Sequence, residues 1–334
     1  MNDQGRHSSQ KTGSVGVDVF LTDEQLHEAL EDDVRTGLTG TPKSIPPLWF
    51  YDEVGSKLFD EITKLEEYYP TRAERAILAD NATEIAELAD ADTLVELGSG
   101  SCEKTRLLLD AMVPRGLRGY VPFDVSEGFM RHAAEGILHE YPGLQIDAVV
   151  GDFRRHLDKI PTSGGRLVAF LGGTIGNLVP AERRRFLFDL NCMMGEREHL
   201  LLGVDLLKDP KTLVTAYNDQ SGVTAAFNRN VLSVINHELD ADFVPERFDH
   251  IALWNDDEQW IEMRLRSKRQ QSVCLSKLGI AVHFDEGEDL LTEISAKFAP
   301  SQVENELLAA DFVTDATWGA DDGQFLVALA HPYC

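Results

Sequence analysis

Two hydrophobic rhythms divide the chain. Up to about residue 90 the period is helical. In "LTDEQLHEALEDDVRTGL", Leu26, Leu30, Val34 and Leu38 recur every four residues and share one helix face. Thr22 and Gln25, just ahead of them, have the spacing of a capping box. The turn-rich stretch "TGTPKSIPPLWFYD" leads to a short helix at "SKLFDEITKL", and "RAERAILADNATEIAELA" is helical again. From Leu94 apolar runs of strand length take over: "TLVELG", "GYVPFDV", "IDAVVGDF", "RLVAFLGG" and "HLLLGVDLL". Between them lie segments long enough for helices, such as "EKTRLLLDAM", "EGFMRHAAEGILHE" and "PAERRRFLFDLNCMM". Apolar strands alternating with helices predict a parallel α/β sheet, doubly wound and covered on both faces.

The alternation stops near Lys208. "VTAAFNRNVLSVINHEL" is a long amphipathic helix with Val223, Phe227, Val231, Val234 and Ile235 on one stripe. "HIALWND", "QWIEMRLRSKRQQSVCL" and "IAVHFDEGE" read as antiparallel strands. "LLTEISAKF" and "GQFLVALAHPY" have strand character and flank a helix around Val303–Ala310.

Length and charge narrow the choices. A chain of 334 residues exceeds one ordinary core and suggests two domains, or one domain with a large insertion. A net charge of −26 repels nucleic acid and anionic lipid, so neither is expected as a partner. The basic runs Arg183–Arg185 and "RLRSKR" are short and read as solvated faces. The start, "MNDQGRHSSQKTGSVG", lacks the apolar segment of a secretory signal and reads as a flexible tail, residues 1–16. Four scattered cysteines without a CxxC pair point to a reducing cytoplasm. The ten histidines show no HxxxH or HxH spacing, so no metal site is expected.

The candidate chemistry sits in "LVELGSGSCEKT". Gly98 and Gly100 end a buried strand and open a helix, but Glu103 occupies the position of the third glycine of a GxGxxG fingerprint. The same residue precedes Lys104 and Thr105 where a P-loop needs glycine. A carboxylate there disfavours a pyrophosphate. A ligand without one, S-adenosylmethionine, resolves the misfit. Asp124 ends the second strand, where an acidic side chain accepts from ribose hydroxyls, and Asp152 with Phe153 ends the third, where adenine would lie.

These segments, with "PPLWFYDEVGSKLFDEIT", "EYYPTRAE", "FLGGTIGN", "GVTAAFNRNVLSVIN" and "LTEISAKF", resemble the histidine Nα-methyltransferases of actinobacterial ergothioneine biosynthesis over nearly the whole chain after the tail. The resemblance implies a Rossmann-like class I methyltransferase domain, residues 68–207 plus 293–334, and a discontinuous α+β substrate domain, residues 17–67 plus 208–292. It implies a cytoplasmic monomer that moves three methyl groups from S-adenosylmethionine to the α-amino group of L-histidine, giving hercynine. Gly98, Lys104, Asp124, Asp152 and Phe153 would hold the cofactor, with Lys104 on its methionine carboxylate. Tyr51, Tyr68, Asn177, Tyr217, Glu293 and Ser295 would hold histidine. Asn177 and Tyr68 are the candidates for orienting the amine, and no general base is named.

Read without the resemblance, "TEISAKF" is a strand with Glu293, Ser295 and Lys297 on a wet face, and Asn177 is a turn residue after Gly176. Two other functions also fit the residues: a methyltransferase for a different amino acid or small amine, and a module that senses these ligands without chemistry.

Overall fold

The computed structural model describes residues 14–333 apart from residues 101, 126, 163 and 321. The first elements are strand β1 (Ser14–Val19), helix α1 (Asp23–Thr39), the short strand β2 (Lys43–Ser44) and helices α2 (Glu53–Ile62) and α3 (Tyr69–Ala89). Alternation follows with β3 (Thr93–Leu97), α4 (Thr105–Met112), β4 (Gly119–Asp124), α5 (Glu127–Glu140), β5 (Gln145–Val150), β6 (Arg166–Phe170), α6 (Pro180–Met193) and β7 (His199–Asp205). Helices α7 (Pro210–Ala216) and α8 (Val223–Leu239) lead into β8 (Phe248–Asn255), β9 (Trp260–Ser267), β10 (Gln271–Leu275), β11 (Ile280–Phe284) and β12 (Asp289–Ala296). The chain closes with α9 (Pro300–Ala309), β13 (Phe312–Gly319) and β14 (Phe325–Pro332).

Eight strands form the larger sheet in the order β1-β5-β4-β3-β6-β7-β14-β13. The six from β1 to β7 are parallel; β14 runs antiparallel to them, and β13, antiparallel to β14, runs in their direction again. Successive residues of one strand enter opposite layers: Val95 and Leu97 pack with α6 and α9, while Leu94 packs with α3, α4 and α5. This is the doubly wound α/β sheet expected from the sequence. Its strand order reverses at β3, which lies between β4 and β6, and the carboxyl edge at such a reversal is where open α/β sheets bind ligands.

The smaller sheet, β2-β12-β9-β8, shares one core with the β10–β11 hairpin and helices α1, α7 and α8. Helix α1 starts at the capping box read from sequence: the Thr22 hydroxyl accepts from the Gln25 amide, and Gln25 reaches back to the Thr22 amide.

Several boundaries move. Residues 1–13 of the expected tail lie outside the described residues, but Ser14–Gly16 belong to β1, which pairs residue by residue with β5. Residues 17–19 continue that strand and so lie in the larger sheet, not in the substrate domain. Strand β12 runs through the expected 292/293 boundary, so Glu293 and Ser295 stand on the smaller sheet. The return to the larger sheet comes at Phe298, whose amide donates to the Asp205 carbonyl at 3.0 Å. The run "QWIEMRLRSKRQQSVCL" breaks into β9 and β10.

The basic runs are not simply solvated. Arg183 is 3% exposed, ion-paired with Glu306, and lies over the Phe298 ring. Arg264 and Arg266 both pair with Asp289. Among the described residues no helix is long and apolar enough to cross a membrane.

Candidate active site

The loop after β3 turns because its glycines take left-handed backbone angles, φ 72° at Gly98 and 50° at Gly100. A Cβ added at either would meet no atom within 4 Å, so the loop faces open space at the carboxyl edge. Gly100 donates its amide to the Asp124 carboxylate at the end of β4, 3.1 Å away. Cradle and acidic strand end are thus joined, an arrangement that fits a ribose and a methionyl tail. Glu103 is exposed. Beneath the loop Glu96 accepts from Thr105 and from the Tyr120 hydroxyl. Burial pushes its carboxyl up to about 7, against the lowering effect of those two hydrogen bonds.

The other expected cofactor residues are engaged by the protein itself. The Asp152 carboxylate, nearly buried, is held by the Arg154 guanidinium at 2.9–3.2 Å and by the Arg154 amide at 2.9 Å. Phe153 stacks edge-on against Phe170 and Phe186. Lys104 is ion-paired with Glu74 of α3.

Glu74 escaped the sequence reading, although it ends the quoted "EYYPTRAE". It is fully buried and accepts the Gly172 amide at 2.7 and 2.9 Å. A Cβ at Gly203 of β7 would lie 2.0 Å from its Oε1, so glycine at 203 is what admits the carboxylate.

On the smaller sheet Lys297 organises the site. Its ammonium, wholly buried, contacts the Asp205 carboxylate at 2.8 Å and donates to Ser295 Oγ at 2.8 Å and Tyr217 OH at 3.0 Å. Those three partners match its three protons. Ser295 Oγ and Tyr217 OH are 2.8 Å apart, so one hydroxyl donates to the other. Since Lys297 donates to both oxygens, either orientation leaves one hydroxyl proton to offer outward. Asp205 also accepts from Tyr69 at 2.8 Å and from Lys208 at 2.5 Å. Sequence placed Lys297 on a wet face; its partner on β7 is what draws it inside.

Glu293 is the complement. It is partly buried, and its carboxylate has no hydrogen-bond or ion-pair partner among the described residues. Burial pushes it up to about 8, with Lys297 pulling the other way. The aromatic chain Tyr51–Phe59–Tyr68–Tyr217 lines the same region, at ring separations of 5.7, 6.3 and 6.0 Å. Burial raises the Tyr51 phenol well above its ordinary value, and the Glu293 carboxylate adds to this, with Asp124 contributing less. The same phenol thus feels the carboxylates of both candidate subsites.

Asn177 reaches this region because Gly176 packs directly on β12. A Cβ at Gly176 would sit 2.9 Å from the Ala296 carbonyl oxygen. The Asn177 amide is partly buried and makes no hydrogen bond among the described residues. The structure therefore brings Gly98 and Asp124 together on one side, and Tyr51, Tyr68, Asn177, Tyr217, Glu293 and Ser295 on the other. It turns Lys104 and Asp152 toward protein partners.

Known proteins sharpen this picture. The family model described as "Histidine-specific methyltransferase, SAM-dependent" matches residues 30–332. The histidine N-alpha-methyltransferase of Mycolicibacterium smegmatis is 54% identical over 312 residues, covering 93% of this chain and 97% of that protein. The protein of the same name from Mycobacterium tuberculosis is 53% identical, covering 95% of this chain and 99% of its own. Ergothioneine biosynthesis protein 1 of Neurospora crassa is 33% identical over 62% of this chain and 25% of that protein. With a family match across nine-tenths of its length, the chain belongs to the S-adenosylmethionine-dependent, histidine-specific methyltransferases.

Proposed function

We propose that the chain transfers three methyl groups from S-adenosylmethionine to the α-amino group of L-histidine, giving hercynine for ergothioneine biosynthesis, and that the residues gathered on β12 read the imidazole. The observation that carries this reading is the pairing on one strand of an unpartnered acceptor, Glu293, with a lysine-held hydroxyl pair, Ser295 and Tyr217. A neutral imidazole has one N–H and one lone pair, so it needs one acceptor and one donor. Glu293 supplies the first and the hydroxyl pair the second.

S-adenosylmethionine supplies an electrophilic methyl group on its sulfonium. Gly98 and Asp124 hold its methionyl and ribose parts. Lys104 reaches its carboxylate with donors that Glu74 leaves free, and Asp152 acts on it by exchanging Arg154 bonds for the ligand. Because the transfer is a direct displacement, the protein's main task is to align the amine lone pair with the S–CH3 bond. Asn177 and Tyr68 do this, and solvent takes the amine proton. The faces of Tyr51 and Tyr68 tolerate the growing methylammonium charge. The third transfer leaves no N–H, which ends the sequence. The acidic charge and the ion-paired Arg264 and Arg266 support small-molecule ligands over a nucleic-acid or anionic-membrane partner.

The test is incubation with S-adenosylmethionine and each of a panel of amino acids, read by mass spectrometry. Mono-, di- and trimethylated histidine should appear in sequence. Faster methylation of another amino acid would overturn the substrate, and binding without turnover would overturn the chemistry. Glu293→Ala should cost histidine about 10- to 150-fold in kcat/KM, the scale of a lost charged hydrogen bond, and phenylalanine much less. An equal proportional loss would remove Glu293 from specificity.

A further inference from the structure

At the amino end of β7, far from the candidate active site, three side chains from three adjacent strands converge. Register places them. Leu200 of β7 opposes Ala330 of β14, which sets His199 beside His331. On the other flank His331 opposes Val313 of β13, and the ladder slips between Thr314 and Ala316. Asp315 is the extra residue of that β-bulge, a device that re-aims a side chain. Its two carboxylate oxygens each lie 2.9 Å from His331 Nδ1, and one lies 3.7 Å from His199 Nε2.

Neither nitrogen of His199 is hydrogen-bonded: Nε2 is beyond reach of Asp315, and Nδ1 is buried without a partner among the described residues. The side chains are 17, 26 and 35% exposed for His199, Asp315 and His331, so the cluster is walled on one side and open to solvent on the other. One ligand atom from each residue falls within 4.8 Å of the others.

We propose that His199, Asp315 and His331 form a site for a divalent transition-metal ion of the zinc class, which clamps the β13–β14 hairpin to β7. Two imidazoles and a carboxylate suit zinc, cobalt, nickel or copper and not calcium or magnesium. With metal–ligand bonds of about 2.1 Å, tetrahedral ligands stand roughly 3.4 Å apart, so side chains close by about 1 Å and the strands stay in place. His331 binds the ion through Nδ1 and carries its single proton on Nε2, and because the ion and protons compete for the same ligand atoms, binding weakens in acid. Three protein ligands leave one position for water. The seven residues of β7 separate the ion from Asp205 at the other end by roughly 20 Å, so its role is structural.

The test uses chelator-stripped full-length protein titrated with Zn2+ by calorimetry and with Co2+ by absorption. One equivalent should bind and raise Tm, and cobalt should show visible bands without a thiolate charge-transfer band in the near ultraviolet. Asp315→Ala and His331→Gln should each lower zinc affinity at least tenfold while methylation turnover stays at the wild-type rate, which also certifies their fold. Absence of binding overturns the site. So does a thiolate band, which would mark the cysteines as ligands, or equal affinity in wild type and both variants.

Discussion

Lys297 Nζ and Asp205 Oδ2 meet at 2.8 Å, joining the end of the smaller sheet's β12 to the end of the larger sheet's β7. The pair lies under the Ser295 and Tyr217 hydroxyls of the proposed imidazole site, so it ties that site to the larger sheet. Replacing the ammonium by an apolar chain, Lys297→Met, leaves Asp205 with Tyr69 and Lys208 and frees Ser295 and Tyr217 to rotate. Breaking a buried pair costs about 3–5 kcal/mol, and the remaining partners should hold the loss to about 2–3 kcal/mol. Histidine KM should rise while cofactor affinity changes little. Thermal unfolding and calorimetry check both, and an unchanged KM would deny Lys297 its positioning role.

The Glu293 carboxyl makes stability depend on pH. Its folded value, about 8, lies above the ordinary 4.5, so the stability it contributes is complete below about pH 4.5 and is lost as pH rises through about 8. Glu293→Gln cannot ionise. The variant and wild type should have similar Tm at pH 5, and the variant should lead by about 2–4 kcal/mol at pH 9. Tm profiles of the two ligand-free proteins test this; a constant difference across pH would mean that Glu293 ionises as an ordinary surface carboxylate.

Gly176→Ala places a methyl group 2.9 Å from the Ala296 carbonyl and pushes the Asn177 turn away from β12. The expected cost is about 1–3 kcal/mol of stability. Single-turnover methylation should slow, with cofactor affinity retained. Asn177→Ala should slow the same step without the stability loss. Wild-type single-turnover rates in both variants would reduce Asn177 to a turn residue.

Asp124→Ala should weaken S-adenosylmethionine binding by about 1–3 kcal/mol, the scale for losing hydrogen bonds to a charged group. Loss of its bond from the Gly100 amide should also loosen the glycine loop, which hydrogen exchange at that amide would register. Unchanged affinity in calorimetry would place the ribose elsewhere.

Much of this was legible in the chain because the signals are local. The four-residue rhythm of α1, its capping box, the apolar runs of β3 to β7 and the glycines of the loop all act within a few residues of themselves. Strand β1 was missed although Val15, Val17 and Val19 alternate with Ser14, Gly16 and Asp18: the run is short, it follows a polar leader, and its stability comes from a main-chain ladder with the distant β5. Lys297 was misplaced because nothing near it in sequence reveals Asp205. Arg183 was misplaced for the same reason, since Glu306 sits on another helix. His199, Asp315 and His331 have no telling spacing and meet only through register and a bulge.

Glu74 and Gly203 carry a consequence for related chains. With Oε1 of the carboxylate 2.0 Å from where a Cβ at 203 would stand, a side chain at 203 displaces the acid at position 74 from its place. The acid in turn holds Gly172 and Lys104. Descendants of this sequence should therefore gain a side chain on β7 at 203 more readily after losing Glu74 than before, because the reverse order costs the carboxylate its bonds to Gly172 and Lys104. The two positions, distant in sequence, form one unit of inheritance, linked by a single van der Waals contact.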